Sequence, residues 1–303
     1  MCPKQKQKHR SSSTSATTTA AATTPDWIQE TINGGSLKHV DLDKGSNGWA
    51  SPPGDLFNLR EPNYFSKKQK SSTGSSLLHT VAVDWLKSPH GKLDHVLSRP
   101  DNRVITSLRK AQSHGQSLKS FIIAVNLQVP GRDHYSAVFY FSTLDEPVQP
   151  GSLLYKFING DDQYRNNRFK IVNKIIKGPW IVKAAVGNYS ACLLGRALNC
   201  RYFRGENYLE IDVDVGSSAI ASAILHLALG YVTAVTIDMG FLVEGQSEEE
   251  LPERLFGAVR VCQMEMSSAT VVDATPARKL VANCHGHFHL NRVQAEDDDD
   301  KND

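Results

Sequence analysis

Residues 208–245 read YLEIDVDVGSSAIASAILHLALGYVTAVTIDMGFLVEG, and the fold turns on them. The stretch opens on strict alternation, with Glu210, Asp212 and Asp214 set against Ile211, Val213 and Val215. A period of two predicts a strand with the acids on one face and the aliphatic side chains on the other. Gly216-Ser217-Ser218 breaks the strand, and either serine can cap a helix. Residues 219–243 are apolar almost all round, with the small residues Ala223, Ala228, Gly230 and Ala234 spread through them. Such a pattern predicts one long helix, at the centre of a large domain or inside a bilayer.

The length suffices for about 30 Å of hydrocarbon, but His226 and Asp238 lie inside the segment. An acid near mid-membrane costs roughly 2.5–3.5 kcal/mol. A buried core helix is therefore expected, and no transmembrane span. Buried, Asp238 needs a partner, because an unpaired charge in the interior is costly. Arg196 and Arg201 are both candidates.

Working outward, residues 191–203 and 208–215 flank Arg204-Gly205-Glu206-Asn207 as one hairpin. Residues 121–129 and 135–141 are β-rich runs joined by Pro130-Gly131-Arg132-Asp133-His134 as a second. Residues 77–86 and 255–266 read as further strands, and 93–113 as helix interrupted by Pro100. Residues 151–176 read as mostly helical, which sets Lys170, Lys174 and Lys177 at i, i+4 and i+7 on one face. The expectation is a single α+β domain, a largely antiparallel curved sheet packed around the long apolar helix, over residues 47–266. Residues 1–46, basic and rich in Ser and Thr, and residues 267–303, ending in the acidic run Asp297–Asp300, are expected to be disordered tails.

Over 303 residues the formal net charge is only +2, which excludes a dedicated nucleic-acid binder with its basic stripe. The five cysteines are an odd set without CxxC spacing, so a reducing compartment is expected. No secretory signal is visible, and Cys2 stands where N-myristoylation needs Gly. A cytoplasmic, peripheral-membrane location follows, with a plastid as the alternative should residues 1–25 act as a transit peptide.

Several motifs then fall in a fixed order. They are Gly48-Trp49-Ala50-Ser51-Pro52-Pro53-Gly54, Val83-Asp84-Trp85, Asn126-Leu127-Gln128-Val129-Pro130, Arg168-Phe169-Lys170 and Val186-Gly187. After them come the run from Tyr208 to Ser218, Leu229-Gly230-Tyr231-Val232 and Leu251-Pro252-Glu253. Together they resemble the C-terminal domain of the plant enhanced-disease-resistance-two family, a domain of unknown function. Asn173 departs from the pattern, which often has Pro there. The resemblance implies a plant protein linked to restraint of defence and cell death. In larger relatives this domain follows a pleckstrin-homology and a lipid-transfer domain, for which a chain of this size is expected to have no room. The resemblance implies no catalytic residues.

Candidate sites follow from residue chemistry. Glu210, Asp212 and Asp214 suit a hard cation, but alternate strand residues stand about 6–7 Å apart, so a solvated or arginine-paired face is expected. Gly216-Ser217-Ser218 at a helix start suits phosphate, yet the upstream acids would repel an anion, so plain capping is expected. Cys284-His285-Gly286-His287-Phe288-His289 has metal-binding residue types but no closed tetrahedral spacing. No metal and no cofactor are expected. Hydrolase, zincin, P-loop and dinucleotide motifs are missing from the sequence, so no enzyme is expected; a hydrolase would need a nucleophile near His79, His95 or His134. Arg165, Arg168, Lys170, Lys174 and Lys177, followed by Trp180 and Lys183, form a cationic cluster with an interfacial aromatic. An anionic membrane surface attracts such a cluster at about 1 kcal/mol per basic residue. The expected function is a non-enzymatic lipid-binding or membrane-peripheral module with Arg165, Arg168, Lys170, Lys174, Lys177 and Trp180 at lipid headgroups. The alternative is a protein-interaction module in defence signalling without lipid.

Overall fold

The computed structural model of the protein describes residues 24–187 and 189–273. Residues 1–23, the Cys284–His289 cluster and the Asp297–Asp300 run lie outside the described residues.

The chain begins with α1 (Asp26–Gly34), β1 (Lys38–His39) and β2 (Gly48–Ala50). A small hairpin pairs β3 (Asn58–Arg60) with β4 (Lys70–Ser72) around α2 (Tyr64–Lys67). Next come β5 (His79–Ser88), α3 (Arg103–Ser113), β6 (Ile122–Val129) and β7 (His134–Ser142). Then follow α4 (Leu153–Asn159), α5 (Asp162–Asn166), β8 (Phe169–Lys177) and α6 (Trp180–Val186). Strand β9 (Tyr189–Leu193), α7 (Leu194–Ala197), β10 (Asn199–Arg204) and β11 (Tyr208–Asp214) lead to α8 (Ala219–Gly230). The last strands are β12 (Thr236–Val243), β13 (Leu255–Cys262) and β14 (Thr270–Val271).

Two six-stranded sheets result, ordered β1-β2-β13-β12-β8-β9 and β10-β11-β6-β7-β5-β14. Both expected hairpins form, β6 with β7 and β10 with β11. Of the arm expected over 191–203, only residues from Asn199 onward belong to β10; residues 194–197 are α7, and those before them belong to β9 of the other sheet. The sheets are mixed, however, because β1–β2, β11–β6 and β5–β14 pair in parallel. Alternation explains how they meet. Ile123 and Val125 of β6, Phe139 and Phe141 of β7, and Ile211 and Val213 of β11 face Ile171, Phe241 and Val259 in one buried cluster. Phe141 and Phe241 are 5.6 Å apart, and Phe141 and Phe256 are 5.8 Å apart edge to face. Such aromatic pairs add to burial energy when offset or T-shaped. The core therefore lies between two sheets and not around a helix.

Outer faces are covered separately. Trp27 and Ile28 of α1 and Val104, Ile105 and Leu108 of α3 pack on Ile122, Ala124, Val138 and Tyr140. Phe57 and Leu59 close the other sheet over Val172, Leu242 and Ala258. Three expectations are overturned here. Residues 26–39, placed within a disordered tail, form α1 and β1 and bury Trp27, Ile28 and Leu37. The helix expected over 219–243 is three pieces: α8, a 3-10 turn at Val232–Ala234, and β12. Residues 169–176, the end of the stretch expected to be helical over 151–176, belong to strand β8. In both cases a run of apolar residues without clear period left helix and strand undecided locally, and pairing with a neighbouring strand settled it.

Candidate functional site

The six expected headgroup residues do not share a face. Arg165 is buried and donates to the Phe157 and Ile158 carbonyls at 3.1 and 2.8 Å, closing the C-terminus of α4; a guanidinium satisfies the carbonyls that a helix end leaves free. Arg168 reaches Glu250 at 2.6 Å and lies over the Tyr164 ring at 4.6 Å. Lys170 is buried between Glu244 at 3.0 Å and Glu253 at 3.1 Å. Only Lys174, Lys177 and Trp180 keep access to solvent, Trp180 being 78% exposed. The strand period puts Lys170 and Lys174 on the outer face of β8, where a helix would have aligned all three lysines.

The buried half of that cluster is a clamp. Arg60 adds its guanidinium to Glu244 at 3.0 Å and to Glu253 at 3.6 Å, so two bases and two acids interlock behind the 244–254 loop. Burial raises the Glu250 carboxyl, yet the hydrogen bonds from Arg168 and the Gln246 N–H outweigh it and hold the group below its usual range. Fully paired buried charges hold geometry more than they add stability. What the clamp fixes is one wall of a cleft of about 810 Å³ at an end of the sandwich. Leu78, Leu154, Val243 and Phe256 lie in it, and Asp145, Glu146, Glu249, Glu250, His79 and Arg254 stand along its length.

A second feature lies beside the end of β8. Helix α8 is apolar apart from Ser222 and His226, yet none of its residues is buried. Its inner edge, Leu225, Ala228 and Leu229, packs on the core and on the small Ile175-Val182-Val235 cluster under α6. Its outer side leaves Ile220 75% exposed, with Ala223 and Tyr231 also open to solvent. Helix α6 lies alongside and adds Trp180 and Ile181. Lys183 sits on α6 and Lys177 just before it, its amine 3.5 Å from the Asp43 carbonyl. No described helix is long and apolar enough to cross a membrane.

The acidic ladder also behaves unexpectedly. Glu210 and Asp212 are not solvated but buried, and they grip the 92–97 loop. Glu210 accepts the Val96 and Leu97 N–H groups at 2.6 and 2.8 Å, and Asp212 accepts the His95 N–H at 2.9 Å and the Asn126 amide at 2.9 Å. Only Asp214 finds a cation, Lys92 at 2.6 Å. Burial drives the Glu210 carboxyl well above its usual range, and the Asp212 charge beside it adds to this. Burial raises Asp212 as well, and its interactions with Glu210, the His95 N–H and the Asn126 amide oppose that rise without cancelling it. His95, whose pKa burial lowers, stacks on Phe203 at 4.3 Å and meets the Tyr208 hydroxyl at 2.8 Å. Asp238 pairs with neither Arg196 nor Arg201 but with Arg260, directly opposite it in the β12–β13 ladder, at 2.5 and 2.8 Å. Arg201 pairs with Asp94, and Arg196 meets the Asn167 side chain at 3.2 Å. Ser218 caps α8 through the Ala221 N–H at 3.3 Å, as the capping reading expects.

Sequence reasoning missed both the cleft and the outer side of α8. The signal for the second was there: His226 in an otherwise apolar helix marks a face that meets water, and it is exposed. The cleft had none, since its walls come from residues 77–79, 143–154 and 243–256.

Comparison with known proteins accounts for the order of the motifs. The family model described as Protein ENHANCED DISEASE RESISTANCE 2, C-terminal, matches residues 49–265. A protein of Arabidopsis thaliana, Protein ENHANCED DISEASE RESISTANCE 2-like, is 44% identical over 237 residues. That alignment covers 78% of this chain and 31% of the relative, so the chain spans about a third of the relative's length. No solved structure matches the chain.

Proposed function

The chain belongs to the family of the Protein ENHANCED DISEASE RESISTANCE 2 C-terminal domain, and on that premise we propose that it is a non-enzymatic module that docks on anionic membrane surfaces through α6 and α8. One observation carries the reading: a helix that is apolar but for Ser222 and His226, with no buried residue, lies beside an exposed tryptophan and two lysines. A helix apolar on every face is stable only when something covers it. Trp180 is the aromatic that interfaces favour, and Lys177 and Lys183 supply attraction to anionic headgroups. The headgroup contact is thus moved from the six residues expected in the sequence to Lys177 and Trp180 alone of them, joined by Lys183 and by Ile220. The disease-resistance name of the relative supports a place in plant defence, as a peripheral component at a membrane.

Co-sedimentation of the full chain with phosphatidylserine-containing and phosphatidylcholine vesicles tests this. Binding is expected to the first, to weaken with salt, and to fall at least about tenfold in Trp180→Ala/Ile220→Asp, each large side chain contributing about 1.5–3 kcal/mol when buried. Equal sedimentation with both vesicle types, or an unaffected double variant, would sink the proposal. A protein bound at the same surface in the absence of vesicles would favour the interaction-module alternative.

A further inference from the structure

We infer that the cleft at the end of the sandwich binds a cationic amphiphile, a small molecule with an amine or guanidine end and an apolar tail. The site is separate from the α6–α8 surface and does not rest on the membrane reading. Its volume of about 810 Å³ lies in the range of small-molecule sites, roughly 300–1,000 Å³. The floor suits a tail: Leu78, Leu154, Val243 and Phe256 are each at most 4% exposed. Between β7 and α4, Asp145 and Glu146 line the opening, and from the clamped loop come Glu249 and Glu250. Against these four carboxylates stand Arg254 and His79 in the lining, and Arg168 and Lys156, which both act on Glu250.

Charge decides the class of ligand. Glu250 is occupied by Arg168, and Asp145 accepts the Lys119 N–H at 3.0 Å, while Glu146 and Glu249 stand exposed. Four carboxylates against the three bases Arg254, Arg168 and Lys156 leave a net negative balance at the opening, which disfavours a carboxylate or phosphate headgroup and favours an ammonium. Among the described residues no group of three His, Cys, Asp or Glu side chains is placed to hold a metal ion, so the acids are not gathered as metal ligands. The site is also preformed. The Arg60–Glu244–Lys170–Glu253 network and the Arg168–Glu250 pair pin one wall before any ligand arrives, which lowers the entropy lost on binding.

Calorimetry of the full chain with n-decylamine and n-decanoate, equal in chain length and opposite in charge, tests the assignment. Decylamine is expected to bind saturably, one per chain, at least about tenfold more tightly than decanoate. Glu146→Lys/Glu249→Lys, both at exposed positions, should reverse that preference, and Trp180→Ala/Ile220→Asp should leave it unchanged. No saturable decylamine binding, equal binding of the two probes, or an unchanged preference in the lysine variant would each overturn it. Loss of vesicle binding in the α6–α8 variant bears on the membrane reading alone.

Discussion

At the scale of single residues, the polar side chains of the family motifs mostly serve the interior. Asp238 is fully buried, and its bidentate partner Arg260 also donates to the Leu42 carbonyl at 2.9 Å. Removing one member strands the other in the core, so Asp238→Ala is expected to cost about 3–5 kcal/mol, read as a lowered urea midpoint. Asp238→Leu combined with Arg260→Met should recover most of that loss, because the hydrophobic pair strands no charge. Glu210 and Asp212 make a pH prediction with a definite sign. Both carboxyls are raised in the folded protein, so their contribution is complete below the ordinary carboxylate range and is lost as pH rises through the folded values. Unfolding free energy should therefore fall with rising pH above that range, by up to about 1.4 kcal/mol per pH unit for each proton involved. Glu210→Gln, which removes one of the two coupled carboxyls at nearly constant shape, should flatten the dependence; an unchanged slope in denaturant titrations across pH would show that the pair keeps ordinary pKa values. The sequence displayed these acids and their alternation. That their face is covered by the 92–97 loop was beyond it, because the loop lies more than a hundred residues earlier and carries no pattern naming its partner.

At the scale of elements, alternation was the reliable signal and apolar runs were not. The two-residue period in 208–214 yields β11 as read, and both hairpin linkers join the strands expected of them. Residues 169–177 and 236–243 carry apolar residues on both sides of the chain, since each strand is covered on both faces, by the aromatic core and by Phe57 and Leu59. A doubly covered strand and a helix look alike in such a window. Helix α8 is the reverse case, an apolar segment that tertiary structure leaves half-covered. Because its outer side faces water, Ile220→Asp should leave the unfolding free energy within about 0.5 kcal/mol of the parent while it lowers vesicle binding. A large drop in stability would mean that Ile220 is packed and is no docking residue.

At the scale of the whole molecule, stability rests on how closely the two sheets approach. Gly257 on β13 makes that approach possible: a Cβ there would lie 2.2 Å from the Phe141 ring. Gly257→Ala should therefore force the aromatic cluster apart and destabilise by about 1–3 kcal/mol, measured as a shift in the denaturant midpoint at unchanged m-value. A neutral outcome would show that the Phe141 ring can rotate away without loss. The same two-sheet arrangement creates the cleft, since its walls come from chain segments that meet only where the sandwich ends.

By itself the sequence determined the family, the α+β class, both hairpins, the strand at 208–214 and the cationic and aromatic residues around 165–183. Each of these is local, written in period, turn chemistry or the order of motifs within a few residues of one another. Only the tertiary structure decided that two mixed sheets enclose the core, that Asp238 meets Arg260, that three of the expected headgroup cations are consumed inside, and that α8 stays uncovered. Those outcomes depend on which strands pair and which faces are left over, a competition among distant segments whose burial and charge pairing no local window records.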